Sequence, residues 1–210
     1  MSGDDGRPGL RERKKQETRI ALSWAAIRLV VERGLENVRV EDIAAEAGVA
    51  PRTFNNYFSS KGEAIAARHL ERTRMIAQEL RRRPASEPLW EAITSAVITQ
   101  LAMGADYDDR RPDQQWQAGI RLMISEPSLQ GEMLRASAIA ENELAAAIAE
   151  RTGTDVDHDL YPRLVAGAAG AAIRVAMDQW LRASPPVPVR PLIEDALGRL
   201  AAGLPEPRSS

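Results

Sequence analysis

Between residues 40 and 58 two short apolar helices meet across Ala47-Gly48-Val49, and this junction restricts the fold more than any other stretch of the chain. Val40, Ile43, Ala44 and Ala47 mark a brief helix that closes at Gly48, a residue free to take the left-handed conformation at a helix end. Small Ala44 and Ala47 let a neighbouring helix approach closely, and Val49 plugs the gap between the two. Pro51 suits the first turn of the next helix, where a missing N–H costs nothing. Phe54 and Phe58, four residues apart, then face inward, which leaves Arg52, Thr53, Asn55 and Asn56 on an outward surface without an acidic residue. That surface is odd for a solvated helix and suits a DNA major groove. Two short helices joined by a Gly-containing turn, the second bearing Arg, Thr and Asn near its start, describe a helix-turn-helix.

Upstream, Leu22, Ala25, Ala26, Leu29 and Val30 form the stripe of an amphipathic helix that Gly34 ends. Arg11, Arg13, Lys14, Lys15 and Arg19 precede it as a basic arm suited to a phosphate backbone, although alone such a run is more often a solvated, frayed helix start. The charge is uneven in the same sense: residues 1–74 carry a net +3 and residues 75–210 a net −5, within an overall −2. Aromatics are only 4% of the chain, Ala, Leu, Arg and Glu abound, and β-branched alternation is nearly absent, so the expected fold is all-α. The absence of cysteine excludes disulfides, thiolate nucleophiles and cysteine metal sites, and two His are too few for most histidine metal sites. No apolar run approaches the roughly 18 residues of a membrane span, and the acidic, Gly-rich start lacks the features of a signal peptide. A cytoplasmic protein with no membrane partner is expected.

The stretch from Val40 to Ile65, VEDIAAEAGVAPRTFNNYFSSKGEAI, resembles the DNA-binding signature of the tetracycline-repressor (TetR) family. Ile43, Ala44, Ala47, Gly48, Val49, Thr53, Phe54, Tyr57, Phe58 and Lys61 stand at the matching places, and with the first helix and Gly34 the likeness covers residues 12 to 66. Two positions depart from the pattern: Arg39, where the family usually has Ser or Thr, and Asn55, where it often has Tyr. Side-chain chemistry makes Arg52, Asn55 and Thr53 the base-reading candidates, for guanine, adenine and the thymine methyl respectively. The resemblance implies that Thr18, Arg39, Asn56, Tyr57 and Lys61 hold phosphates and set register. It also implies a homodimer on palindromic double-stranded operator DNA, a small-molecule effector, and no catalytic residue, metal or cofactor.

The expected organisation is therefore a three-helix DNA-binding domain at 11–60 and a helical ligand-binding and dimerisation domain at 61–204, with flexible tails at 1–10 and 205–210. In the second domain the small-residue stretch Ala166–Ala172, with Gly167 and Gly170 inside a strong helix, and the amphipathic run Leu192–Leu200 read either as a four-helix dimer interface, the family's arrangement, or as ordinary intrachain packing. Trp90, Ile93, Val97, Leu101, Trp116, Ile120, Met123, Leu134 and Met177 are bulky apolar residues on the middle helices. Such a pattern usually means core; in the resembled family the same region encloses a small-molecule cavity.

Tyr161 to Leu181 more loosely resembles the C-terminal domain of actinobacterial regulators that sense fatty acyl-coenzyme A. That likeness implies an acyl chain along the apolar wall and Arg121 or Arg163 holding anionic groups, whereas Arg174 has Asp178 four residues on and reads as an intrahelical pair. The acidic clusters Asp155, Asp157, His158, Asp159 and Asp106, Asp108, Asp109 lack the glycine and closing Glu of a calcium loop and read as solvated loops, and His69 reads as packing on the fourth helix. No Gly-rich phosphate loop or G-x-S-x-G elbow supports an enzyme. The expected function is a ligand-responsive dimeric repressor released by an apolar or amphipathic ligand, a fatty acyl-coenzyme A among the candidates. The contrasting expectation is a helical ligand-binding or scaffold protein that no longer binds specific DNA.

Overall fold

The computed structural model describes residues 10–105, 114–185 and 187–205, and among them all regular structure is helical. Nine α-helices follow in order: α1 (Leu10–Arg33), α2 (Val40–Glu46), α3 (Pro51–Tyr57), α4 (Lys61–Arg82), α5 (Leu89–Ala105), α6 (Gln114–Ser125), α7 (Pro127–Thr152), α8 (Leu160–Arg182) and α9 (Val189–Ala201), with a short 3-10 turn at Leu35–Asn37. The acidic run at Asp106, Asp108 and Asp109, the end stretches 1–9 and 206–210, and the side chain of Trp116 lie outside the described residues.

Helix α1 begins earlier than its apolar stripe. The basic residues expected to form an arm ahead of the helix instead make up its first turns, because Arg, Lys, Glu and Gln are themselves strong helix formers. Gly34 ends α1 at φ +80°, with its N–H bonded to the Val30 carbonyl at 2.9 Å.

Two hydrophobic clusters share α4. The first gathers Leu22, Ala26 and Leu29 of α1, Ile43 and Ala44 of α2, Phe54 and Phe58 around α3, and Ala64, Ile65 and Ala67 from the first turns of α4. The second begins on α4 at Ile76, Ala77 and Leu80 and continues through Ile93 and Val97 of α5, Leu144 and Ile148 of α7, Val165 and Ala169 of α8, and Ile193 and Leu197 of α9. Helix α7 runs along α4, and the ion pairs Arg74–Glu143 (3.4 Å) and Arg81–Glu150 (2.7 Å) cross between them. Arg151 at the far end of α7 donates to the carbonyls of Arg83, Pro84 and Glu87, pinning the α4–α5 turn.

The first cluster also takes in Met123 of α6 and Leu129 of α7, with Ile120 packed against it. This contact needs Gly119, since a Cβ there would lie 2.6 Å from Val31 Cγ1 and 2.8 Å from the Val31 carbonyl oxygen. Helix α6 thus rests directly on the backbone of α1.

Candidate nucleic-acid interface

The turn between α2 and α3 is closed by Gly48 at φ +70°, with Gly48 N–H bonded to Ala45 O at 3.0 Å and Val49 N–H to Ala44 O at 2.9 Å. Pro51 occupies the first turn of α3. Phe54 and Phe58 are buried, their ring centroids 5.6 Å apart, so the opposite side of α3 faces outward. Arg52, Asn55 and Asn56 are exposed and Thr53 half-buried, which puts the three base-reading candidates on one carboxylate-free surface. Tyr57 lies half-buried with its ring packed 6.5 Å from that of Phe58.

Arg39 stands where a hydroxyl cap is usual, and the helix is capped in the opposite sense: Asp42 Oδ2 accepts the Arg39 N–H at 2.9 Å. The Arg39 side chain remains exposed at the start of α2. Thr18 is half-buried on α1 and donates its hydroxyl proton to the Lys14 carbonyl at 2.9 Å, so it must surrender that bond to donate to a phosphate.

Lys61 is turned inward. Its Nζ donates to Leu35 O at 2.8 Å and Val38 O at 2.7 Å, tying the 3-10 turn before α2 to the start of α4. Two of its three donors therefore serve the protein, which differs from the phosphate contact expected of it. Ser60 caps α4 by accepting the Glu63 N–H at 3.0 Å, while the Glu63 carboxylate reaches back to the Ser59 N–H and hydroxyl, both at 2.7 Å. Burial opposes ionisation of Glu63, but these hydrogen bonds and the nearby Arg19 and Arg135 carry its pKa below the ordinary carboxylate value. Arg19 also lies 4.8 Å over the Phe58 ring, a cation–π contact that holds α1 against the end of α3.

The eight apolar candidates for a ligand wall whose side chains are described do not gather in one place. Ile93 and Val97 are buried in the second cluster with Trp90, Leu101 and Met177 packed against it, whereas Met123 and Ile120 belong to the first. Leu134 is 74% exposed, because α7 turns that side away from α4. Arg121 donates to the Leu181 carbonyl, and Arg163 to Val156 O at 2.8 Å and Asp157 Oδ1 at 3.3 Å, so both cations expected to hold anions are engaged by their own chain. Asp178 pairs with Arg182 at 2.9 Å instead of Arg174, the orientation with the acid N-terminal to the base being the stronger one on a helix. Within the Asp155–Asp159 turn the carboxylates of Asp155 and Asp159 accept backbone N–H groups, and His158 Nδ1 lies 2.9 Å from Asp155 Oδ2. His69 is half-buried with Nε2 3.2 Å from Ser137 Oγ of α7.

An all-helical chain whose second and third helices form a helix-turn-helix with an exposed, carboxylate-free recognition surface defines a DNA-binding protein of the helix-turn-helix class. Residues 24–67 match the bacterial regulatory proteins of the tetR family, and residues 87–205 match the MftR C-terminal domain. The HTH-type transcriptional regulator TcmR of Streptomyces glaucescens is 36% identical over 174 residues, which span 82% of this chain and 77% of that protein. Among solved structures, the fatty acid degradation regulator FadR of Bacillus halodurans superposes with a TM-score of 0.59 at 17% identity, covering 89% of this chain and 96% of its own. The TetR-family repressor FadR of Thermus thermophilus, solved in complex with lauroyl-CoA, does so at 0.54 and 17% identity over 91% and 97%. The chain belongs to the TetR family of transcriptional regulators. That is a family of regulators and not of enzymes.

Proposed function

We propose that this regulator is a repressor acting as a two-fold dimer, each protomer laying α3 into a major groove of a palindromic operator, and that an apolar or amphipathic effector releases it. The observation that carries the reading is the exposed face of α3, where Arg52, Asn55 and Thr53 read bases while Arg39, Asn56, Tyr57 and Thr18 meet phosphates. Lys61 contributes by holding the α2 entry in place.

Dimerisation is supported by α8, whose Leu160, Leu164 and Val175 are 75%, 60% and 58% exposed along one stripe. Gly167 on the same helix has no atom near the position of a Cβ, so nothing in its own chain explains the small residue there. A second copy covering this stripe does. Ile93, Val97, Trp90, Leu101 and Met177 would line the effector space, with Ile120 and Met123 on the side of the DNA-binding helices and Leu134 left outside. An acyl chain suits such a lining, and the fold-level likeness to a FadR solved with lauroyl-CoA adds to that reading. An effector shifts operator binding only by its differential affinity for the two spacings of the heads.

The test is selection of bound duplexes from a random pool at physiological salt, with sedimentation of the free protein alongside. A palindrome with half-sites one helical turn apart and a dimeric species are expected. A folded chain that enriches no sequence would instead favour a ligand-binding or scaffold role.

A further inference from the structure

The first turns of α1 stand outside both hydrophobic clusters. Helix α1 begins at Leu10, and its first residue in the core is Leu22. At 1.5 Å per residue, about 16 Å of helix separates Leu22 from Arg11. The core stripe Leu29, Ala26, Ala25 and Leu22 steps back along α1 at helical spacing, and its next members are Thr18, Lys14 and Arg11. A different side of α1 meets α4: Gln16, Ile20 and Ser23 line a small crevice with Ala67 and Arg68. Arg19 falls between the two sides and lies 4.8 Å over the ring of Phe58, which brings α1 beside the C-terminal end of α3 at that level.

Residues 10–19 carry five cations, Arg11, Arg13, Lys14, Lys15 and Arg19, against Glu12 and Glu17. The first turn of a helix favours acids, so this excess does not serve α1 itself. Arg11 and Lys14 are exposed, and neither has an ion pair or a side-chain hydrogen bond among the described residues, whereas Lys15 has a partner in the chain. Arg13 and Glu17 fall on the opposite side, about 200° and 240° around the helix from Arg11, and the side chain of Glu12 lies outside the described residues. The stripe that runs on from the core past the end of α3 is therefore cationic, with Glu17 behind it.

We propose that Arg11 and Lys14 form a phosphate rail, binding the sugar–phosphate backbone of the duplex just outside the half-site that α3 reads. This rests on the operator reading above and extends its contact surface along α1 from Thr18. The two side chains meet phosphate charge and no base edge, so they add affinity for any duplex and no sequence preference. A flexible basic tail must be ordered to make such contacts; a helix anchored in the first core by Leu22, Ala25 and Leu29 carries its cations already in place.

The test uses the full chain, the double variant Arg11→Gln/Lys14→Gln, and Arg13→Gln, which removes a charge from the far side of the same turns. Gln is a helix former comparable to Lys and Arg, so the thermal melts should coincide. Binding is titrated with salt on three duplexes: the selected operator flanked by one helical turn on either side, the same operator cut at the half-site edges, and a scrambled sequence. On the flanked operator the double variant should reduce the slope of log affinity against log salt by about 1.8 per protomer, with Arg13→Gln near wild type. The difference should vanish on the cut operator and persist on the scrambled duplex, leaving the preference for operator over scrambled sequence unchanged. Equal slopes in the wild type and the double variant overturn the rail, as does a loss of the same size per charge in Arg13→Gln, which would mark a general charge effect. If no palindrome is selected, the scrambled duplex decides: a shallower slope in the double variant keeps the rail and removes the operator reading, and no difference removes the rail.

Discussion

The DNA-binding helices and the C-terminal helices differ in what they leave exposed. Among the described residues the large hydrophobic side chains open to solvent all lie from Leu122 onward, including Leu134, Leu160, Leu164 and Val175. On α3 the exposed side chains after Pro51 are polar, and Phe54 and, just past the helix end, Phe58 are buried to 2% or less. The first region is complete as a monomer and presents hydrogen-bonding groups; the second carries apolar surface that a monomer does not cover. Large exposed apolar patches mark association sites, and this contrast supports the dimer proposed for the C-terminal helices.

The strongest way to break this contrast is to empty the small core. Phe54→Ala should cost about 3–5 kcal/mol, because the ring is fully buried and α3 is too short to close the cavity. Calorimetry should show loss of the first melting transition with the C-terminal one retained, and a single shared transition would mean that the two cores are one cooperative unit. Next is acid. An unfolded chain takes up the His69 proton near pH 6.5 whereas the folded chain refuses it until about 4, so stability falls as pH drops between those values. The loss is at most on the order of 3 kcal/mol, and denaturant melts of His69→Gln should show a flatter limb over that window. Lys61→Met removes two charge-assisted hydrogen bonds and strands the Leu35 and Val38 carbonyls, a cost of about 2 kcal/mol. The salt slope of operator binding should stay near its wild-type value, since the ammonium serves mainly inside the protein.

Arg52→Ala should weaken the operator by about 1–3 kcal/mol and relax one base position, which repeating the duplex selection would reveal. The smallest effect is expected for Arg39→Ala. It should leave sequence preference unchanged and reduce the slope of log affinity against log salt by about 0.9 per protomer.

The ease of reading these regions from sequence differed for the same physical reason. In the helix-turn-helix, spacing within twenty residues sets everything: Gly48, Pro51, Phe54 and Phe58 each act on neighbours a few positions away, and the outward face of α3 follows from them. The internal bonds of Lys61 were not legible because its partners, Leu35 and Val38, are more than twenty residues upstream and are carbonyls, which no side-chain pattern reveals. Helical periodicity placed α5 to α9 well, but periodicity states that a side is apolar and not whether that side meets its own chain, a ligand or a second copy. Leu134 and Val175 are apolar at helical spacing and lie outside.

Gly119 against Val31 has a mechanical consequence. Where helices meet through interlocking side chains, a rotamer change absorbs small displacements; where one backbone lies on another, no such cushion exists. A tilt of α6 must therefore appear in α1 almost undiminished, and α1 carries the residues on which α2 and α3 are built. Even a methyl group at position 119 would act as a fixed shim, holding the two ends of the molecule in a displaced setting with nothing bound.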